Sequence, residues 1–241
     1  MIHPQERLIG AIARLILDPA APPARHIAVG AASPIPAAAC WLVKKLGHDV
    51  RLSLLHKRTG NPITEGSREL FDLSGQGRLD LFFLGGGQID GQANINLIGT
   101  GDWPGTVARF PGSFGSAYMY MMVPRTILFR EEHSRRVLVE KVDAISAPGV
   151  SPPTQFRRGT AQALVTGRCV FGFDGTRFHL ASRHPGETVT SIRAETGFDY
   201  AEADTPETPD PSPEELELLR GPVRAEMVET YPEFCARVWP I

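Results

Sequence analysis

The stretch that decides the fold is LDLFFLGGGQIDGQANINLIGTGD, residues 79–102. Its apolar run, residues 79–84, has the length of one buried strand and leads directly into three consecutive glycines. Apolar runs at 25–30 and 49–56 are separated by helix-length intervals, as is typical of parallel strands with covering helices. We therefore predict an α/β fold with an open, largely parallel sheet. Ligands of such sheets bind beyond the carboxyl ends of the strands, where these glycines lie.

Hydrophobic spacing and helix-terminating residues predict the remaining elements. Helices are expected at 4–17, within 31–47 with Gly47 as the terminating residue, in the run that follows Ser116, at 186–198 and at 212–221. Residues 67–77 are expected to form a short helix or a turn. Further strands are expected at 125–130, 142–146, 161–174 and 177–184. Residues 201–213 are acidic and rich in proline, which predicts a loop before the C-terminal helices. Ser212 then suits a helix N-cap, with Pro213 at the first helical position.

Composition narrows the class of protein. The chain has 241 residues, 42% of them apolar, and a formal charge of −2, and we predict one domain over 1–241. Its basic residues are scattered, which argues against a nucleic-acid partner. It shows neither a charged-then-apolar leader nor a membrane-length apolar run, so a soluble, cytoplasmic protein without membrane contact is expected.

The cysteines and histidines show no ligand spacing. Cys40, Cys169 and Cys235 are far apart, and we expect them to be buried, free thiols in a reducing compartment. The seven histidines lack any zinc-binding pattern, so no metal site is expected and each should lie at the surface or core edge. The segment REEHSRR, residues 130–136, is interpreted as a solvated turn between strands.

Neither glycine-rich segment matches a nucleotide loop or a hydrolase motif. Asp90 stands where a dinucleotide fingerprint needs its last glycine, and no Gly-Lys-Ser/Thr follows the triple glycine. The segment GSFGS, residues 112–116, has the wrong order for a nucleophile elbow. Its glycines could free backbone N–H groups for an anion or oxyanion, or Ser113 could be an ordinary helix cap. The triple glycine marks either a turn or close backbone approach, or it forms a ligand-binding loop.

Four ordered segments together resemble one known family. They are FFLGGGQIDGQANINLIGTGDWP at 82–104, RFPGSFGSA at 109–117, EEHSRRVLVEKVDAISAPG at 131–149 and HPGETVTSIRAETGFD at 184–199. They resemble the second, or beta-type, chain of the glutaconate CoA-transferase branch of the CoA-transferase superfamily. The resemblance implies an alpha-type partner chain in a heterodimer or heterotetramer. It also implies a coenzyme A thioester as substrate, bound near the junction of the two chains, with no tightly bound cofactor.

The resemblance also implies a nucleophile that this sequence lacks. In the transferases, a glutamate of the beta-type chain, at the end of the second strand, attacks the thioester. The corresponding stretch here is RLSLLHKRTGN, and the position falls at Leu55 or His56. Glu65 and Glu69 lie further along, and one could substitute only if the loop folds back. Some superfamily members without this glutamate resemble hydrolases that open a ring of CoA-linked steroid-degradation intermediates with a glutamate from the alpha-type chain. This sequence is consistent with that arrangement.

Other site residues carry over by position. Gly112, Ser113 and Gly115 match the loop whose backbone faces the thioester oxygen, with Gly115 as oxyanion donor, and Phe114 and Ser116 depart from its small-residue pattern. The residues that match the first glycine loop, with a structural role as plausible as substrate contact, are Gly86, Gln88, Asp90 and Asn94.

The expected function is that of a beta-type subunit acting on an acyl-CoA, by CoA transfer or by hydrolytic ring or carbon-carbon cleavage. The alternative is a non-catalytic acyl-CoA-binding or structural subunit whose partner carries the chemistry.

Overall fold

The computed structural model describes residues 1–57, 59–102, 104–202 and 204–240. Its strands are β1 His26–Val29, β2 Arg51–Leu54, β3 Leu81–Leu84, β4 Gln88–Ile89, β5 Ile95–Asn96, β6 Gly99–Thr100, β7 Ala108–Arg109, β8 Arg125–Arg130, β9 Thr160–Thr166, β10 Cys169–Phe173 and β11 Phe178–Arg183. Its helices are α1 Pro4–Ile16, α2 Pro34–Lys45, α3 Ser67–Gly75, α4 Ser116–Met122, α5 Val189–Glu195, α6 Pro213–Leu218, α7 Arg224–Met227 and α8 Pro232–Val238. A π-helical segment, Leu219–Val223, joins α6 to α7.

The chain forms two compact units, which are described separately. The first contains Met1–Phe83 and Pro209–Ile241, and the second contains Leu84–Thr208. The single-domain organisation of residues 1–241 stays a prediction. In the loop predicted at 201–213, the described residues before α6, which starts at Pro213, form no helix, and Ala203 lies outside the described residues.

In the first unit, β1 pairs in parallel with β2 on one side and with β3 on the other. The Asp80 carboxylate, just before β3, accepts hydrogen bonds from the backbone N–H groups of Arg25 and His26, at 2.9 and 2.8 Å. The His26 ring is buried and bonds Ser53 Oγ at 2.7 Å. These contacts fix the relative positions of the three strands. The predicted α/β fold with largely parallel strands is confirmed.

The helix cap predicted at Ser212 appears at the expected place. Ser212 Oγ accepts the Glu215 N–H at 3.1 Å, and the Glu215 carboxylate accepts the Ser212 N–H at 2.7 Å. This reciprocal pair satisfies two backbone donors at the start of α6. Helix α1 begins in the same way, because His3 Nδ1 accepts the Gln5 N–H and Glu6 accepts the His3 N–H.

In the second unit, β8 and β9 are parallel, and β9, β10 and β11 continue as an antiparallel sheet. Aromatic rings from β10, β11 and the segment after α5 pack together, with Phe171 and Tyr200 centroids 5.0 Å apart. Two short ribbons are present: β4 with β5 lies within the glycine-rich segment 79–102, and β6 with β7 joins the end of that segment to Ala108–Arg109. The sequence did not predict these ribbons, because two-residue strands are too short to show an alternating pattern.

The strand predicted at 142–146 is wrong. These residues form bends, and the neighbouring Ser146 and Ala147 N–H groups both reach the Ile95 carbonyl, at 2.9 and 3.1 Å. The apolar residue Ile145 is 55% exposed, so the segment does not bury a strand face. Its apolar content resembles that of a strand, but its role is to cover β5.

The interpretation of residues 130–136 as a solvated turn is also wrong at its centre. His133 is only 7% exposed, and its ring nitrogens contact Thr166 Oγ1 at 2.8 Å and Thr196 Oγ1 at 3.0 Å. Burial lowers the pKa of His133 to about 4, so the ring is neutral at pH 7. Both hydroxyl partners come from distant parts of the chain, which explains why local sequence did not reveal this burial.

Among the described residues, no helix has the length and apolarity needed to cross a membrane. All three cysteines are buried and free, as predicted.

Candidate active site

The three glycines of the 79–102 stretch are required by close packing. A Cβ atom on Gly86 would lie 2.7 Å from the Gln88 carbonyl oxygen and 2.9 Å from Ile95 Cγ2. A Cβ atom on Gly85 would lie 2.9 Å from the Phe129 carbonyl oxygen, and one on Gly87 would overlap the Phe110 ring. Of the two interpretations left open by sequence, this geometry supports close backbone approach.

The first polar side chain of this segment, Gln88, belongs to a buried network. Gln88 Oε1 accepts Asn96 Nδ2 at 2.7 Å and the Asp143 N–H at 3.0 Å, and Gln88 Nε2 donates to Asp143 Oδ2 at 3.1 Å. Asn96 also donates to the Gly99 carbonyl at 2.7 Å. Gln88 and Asn96 are 6% and 0% exposed, so the network holds the loop in place and presents little surface to a ligand.

Asp90 and Asn94 hold the turn between β4 and β5. Asp90 Oδ1 accepts the N–H groups of Gln92 and Asn94, each at 3.1 Å. Asn94 donates its amide to Asp90 Oδ2 at 3.1 Å and accepts the Gly149 N–H at 3.0 Å. Asp90 and Asn94 are 4% and 5% exposed. This arrangement supports the structural role that the sequence left open for both residues.

The structure brings the two glycine-rich loops into direct contact. The Gly112 N–H donates to the Leu97 carbonyl at 3.0 Å, and the Phe110 N–H donates to the Ile98 carbonyl at 2.9 Å. Gly112 has φ +109°, a conformation that residues with a side chain rarely adopt. The first loop therefore fixes the position of the second loop through these backbone hydrogen bonds.

The second loop ends at the start of α4, where Gly115 is the N-cap. No described residue accepts a hydrogen bond from the Gly115 N–H, as is usual for a donor at a helix start. Ser116 Oγ is buried and has no hydrogen-bond partner among the described residues. Phe114 has φ +44° and is 81% exposed. This short segment therefore presents a backbone donor, a hydroxyl and an exposed ring.

Two residues outside the glycine-rich loops hold α4 in place. Tyr120 is fully buried, and its hydroxyl donates to the Ala93 carbonyl at 3.1 Å, in the turn between β4 and β5. The Arg157 guanidinium lies 4.7 Å from the Tyr120 ring centroid and donates to the Pro148 carbonyl at 2.7 Å. These contacts tie the helix to the first loop, and no local sequence pattern indicates them because the partners are distant.

The region of the missing glutamate lies in the first unit, at the end of β2. Leu55 is half-buried and His56 is exposed, with its ring stacked on Tyr231 at a centroid distance of 5.6 Å. Glu69 Oε2 accepts the N–H groups of Thr64 and Glu65, at 2.7 and 3.1 Å. These bonds lower the pKa of the Glu69 carboxyl and occupy it as a cap of its own loop. Arg58, within the same stretch, lies outside the described residues.

Glu65 is solvated, with a side chain 67% exposed and 3.8 Å from Arg68. Glu65 therefore faces solvent and Glu69 is engaged by its own loop, so neither carboxylate lies in a desolvated setting of the kind that an enclosed active site provides. Among the described residues, no three His, Cys, Asp or Glu side chains lie close enough to hold a metal ion.

Comparison with known proteins identifies the family. The family model for Coenzyme A transferase matches residues 43–195, and the chain belongs to this family. The match contains the first glycine loop, the second glycine loop and the segment after them. The predicted resemblance to a beta-type chain is confirmed, since the similar transferases are represented by their B subunits.

The B subunit of glutaconate CoA-transferase from Acidaminococcus fermentans is 31% identical over 147 residues, which are 57% of this chain and 54% of that relative. The cholesterol ring-cleaving hydrolase IpdB subunit of Mycobacterium tuberculosis is 30% identical over 145 residues, 57% of this chain and 58% of the relative. The matched region thus spans little more than half the length of these relatives. The crystal structure of the decarboxylase AibA/AibB has a TM-score of 0.78 at 23% identity and covers 91% of this chain and 94% of that one, which supports the fold.

Proposed function

We propose that this chain is the beta-type subunit of a heteromeric enzyme that acts on an acyl-CoA thioester. In this proposal the chain supplies the oxyanion donor, and an alpha-type partner supplies the carboxylate. We favour hydrolytic ring or carbon-carbon cleavage of a CoA-linked intermediate over CoA transfer. The observation that carries the proposal is the Gly115 N–H, which has no described acceptor and sits on a loop anchored to the first glycine loop.

The chemistry needs such a donor because negative charge develops on a carbonyl oxygen of the substrate when a nucleophile attacks that carbonyl, in transfer and in hydrolytic cleavage alike. A backbone N–H that is already fixed in position stabilises this charge without reorganisation. Gly115 meets that requirement because Gly112 is bonded to Leu97 and the Met119 N–H closes the first turn of α4 on the Gly115 carbonyl, at 2.9 Å. Ser116 Oγ, buried and without a described partner, is a second polar group beside it.

Phe114 is the residue we propose to contact the acyl group. Its side chain is 81% exposed, at the tip of the loop that carries Gly115. A large apolar ring at this position favours an apolar acyl chain over a short or charged one, because contact removes apolar surface from water. Phe114→Ala should therefore raise KM for long apolar thioesters more than for acetyl-CoA.

The preference for hydrolysis rests on the end of β2. Leu55 and His56 stand where the resemblance expects the transferase glutamate, and Glu69 is occupied by hydrogen bonds to Thr64 and Glu65. The M. tuberculosis relative at 30% identity is named as a hydrolase subunit, which supports this preference.

A non-catalytic subunit is the second candidate. It is favoured by the first loop, where Gln88, Asp90 and Asn94 are buried and their polar groups bond to residues of the same unit. In this alternative the chain binds acyl-CoA or stabilises the partner, and none of its groups stabilises the transition state.

Turnover by the reconstituted complex distinguishes the two candidates. Gly115→Asp would place a carboxylate where the oxyanion forms, and we expect kcat to fall by about 10²–10³ while the complex still assembles. The matched control is Gly105→Asp, which adds the same charge to the second unit at a position where, among the described residues, a Cβ meets only the Asp102 carbonyl oxygen, at 3.6 Å. Equal turnover in wild type and Gly115→Asp would exclude the oxyanion role and leave the non-catalytic subunit.

A second experiment addresses transfer by this chain. The complex is incubated with acyl-CoA, treated with borohydride and examined by mass spectrometry, alongside Glu65→Gln and Glu69→Gln. We expect no modification of this chain and near wild-type turnover in both variants. A reduced adduct on either glutamate would reverse the preference and establish transfer.

We also propose a cytoplasmic location. The buried, free state of Cys40, Cys169 and Cys235 supports a reducing compartment. Fractionation of cells that produce the chain would test this, and recovery from an oxidising compartment would contradict it.

A further inference from the structure

We propose that the first unit contains a binding site for a small organic dianion, separate from the glycine loops. The site is a cavity of about 630 Å³ that we call the arginine cavity. Its polar lining includes His3, Glu6, Arg220, Arg224 and Arg237. Its apolar lining includes Ile2, Pro4, Val238 and Trp239. Small-molecule sites commonly have this size, with mainly apolar walls and a few convergent polar groups.

One arginine of the cavity is fixed by a buried carboxylate. Arg220 Nε and Nη2 donate to the two oxygens of Glu6, each at 2.8 Å, and Trp239 Nε1 donates to Glu6 Oε1 at 3.1 Å. Glu6 is only 1% exposed. Burial acts to raise the pKa of its carboxyl, but the bonds from Arg220 and the His3 N–H outweigh burial, and the pKa is lowered. Glu6 is therefore ionised, and its two carboxylate oxygens hold Arg220 in place.

The other two guanidinium groups lack a carboxylate partner among the described residues. Arg224 Nε donates to the Trp239 carbonyl at 3.0 Å, which orients the group and leaves its terminal nitrogens available. Arg237 lies 5.9 Å from the Phe234 ring centroid and forms no ion pair within the described chain. Arg224 is held by its hydrogen bond to the Trp239 carbonyl on one side, so less of its side-chain entropy remains to be lost when an anion binds.

Charge selects the class of ligand. Three arginines and one carboxylate line the cavity, which leaves an excess of two positive charges. A guanidinium matches a carboxylate or phosphate through two parallel hydrogen bonds. The apolar walls then favour a ligand that carries its charge on an apolar body. The geometry therefore points to a dianion of about this size, a phosphate monoester or a dicarboxylate.

The test is isothermal titration of the full chain, or of its complex if it is purified as one, at low salt. Phenyl phosphate represents the monoester, glutarate represents the dicarboxylate and benzyl alcohol is the uncharged comparison. We expect at least one dianion to bind, and its affinity to fall about tenfold or more in Arg237→Gln and in Arg224→Gln, since each removes charge-assisted hydrogen bonds. The dianion that binds more tightly shows whether the ligand is a phosphate monoester or a dicarboxylate.

The matched control is Arg78→Gln, which removes an exposed arginine from the same unit without touching the cavity. Its affinity should equal that of wild type, and thermal unfolding of each variant checks the fold. The proposal is overturned if neither dianion binds the wild type at 10 mM, if Arg237→Gln and Arg224→Gln bind as tightly as wild type, or if benzyl alcohol binds equally well. None of these results depends on turnover, so they leave the proposed acyl-CoA chemistry unaffected.

Discussion

Gly86→Ala separates a packing role for the triple glycine from a role in contacting substrate. The added Cβ would lie 2.7 Å from the Gln88 carbonyl oxygen and 2.9 Å from Ile95 Cγ2. Ordinary contacts of this kind are roughly 3.5 Å or longer, so both neighbours would have to move by more than half an ångström. Neither has room to move, because Ile95 is fully buried and the Gln88 side chain is held by three hydrogen bonds.

Overpacking of a buried site costs about 1–3 kcal/mol, and two rigid neighbours place Gly86→Ala in the upper part of that range. We expect a loss of about 2–3 kcal/mol in the free energy of unfolding. For a chain of this length, 1 kcal/mol shifts Tm by roughly 2–4 °C, so Tm should fall by about 4–12 °C. The backbone of Gly86 is not left-handed, so the effect measures space and not conformational strain.

The assay is urea unfolding followed by circular dichroism, with Gly105→Ala as the matched control. In the part of the chain that the structure describes, a Cβ on Gly105 meets only the Asp102 carbonyl oxygen, at the ordinary distance of 3.6 Å, so this variant should unfold like wild type. The reasoning would be refuted if Gly86→Ala were as stable as Gly105→Ala. If Gly86→Ala were as stable as Gly105→Ala and its KM for acyl-CoA were higher, the result would identify Gly86 as a substrate contact.

Two further predictions concern buried polar groups. Asn96→Ala should lower the free energy of unfolding by about 2–4 kcal/mol, since it removes bonds to Gln88 and Gly99 inside the protein, whereas exposed Gln92→Ala should change it little in the same urea assay. Burial holds the pKa of His133 at about 4, below the pKa of a histidine in the unfolded chain, which is about 6.5. The stability that depends on neutral His133 is therefore complete above pH 6.5, and the free energy of unfolding falls by about 3 kcal/mol as the pH is lowered to 4. His133→Asn should flatten this part of the stability profile and exposed His48→Asn should not; an unchanged slope in His133→Asn would contradict the assignment.

Local sequence determined the elements and many of their ends. Helical and strand periodicities depend on neighbouring residues, so α1, α2 and the buried strands were predicted close to their observed bounds. The Ser212 cap was predicted for the same reason, because its partner, Glu215, is three residues away. The order of the glycine motifs was enough to identify the family resemblance, since motif order is a property of the sequence itself.

Only the tertiary structure decided what the polar residues of the glycine loop do. Gln88 bonds Asp143 and Asn94 bonds Gly149, each 55 residues along the chain, so these side chains help to hold the loop in place. The same physics explains the errors. His133 is buried against Thr196, 63 residues away, and residues 142–146 cover β5 without forming a strand. Burial depends on which distant segments pack together, and a periodic pattern carries no information about those partners.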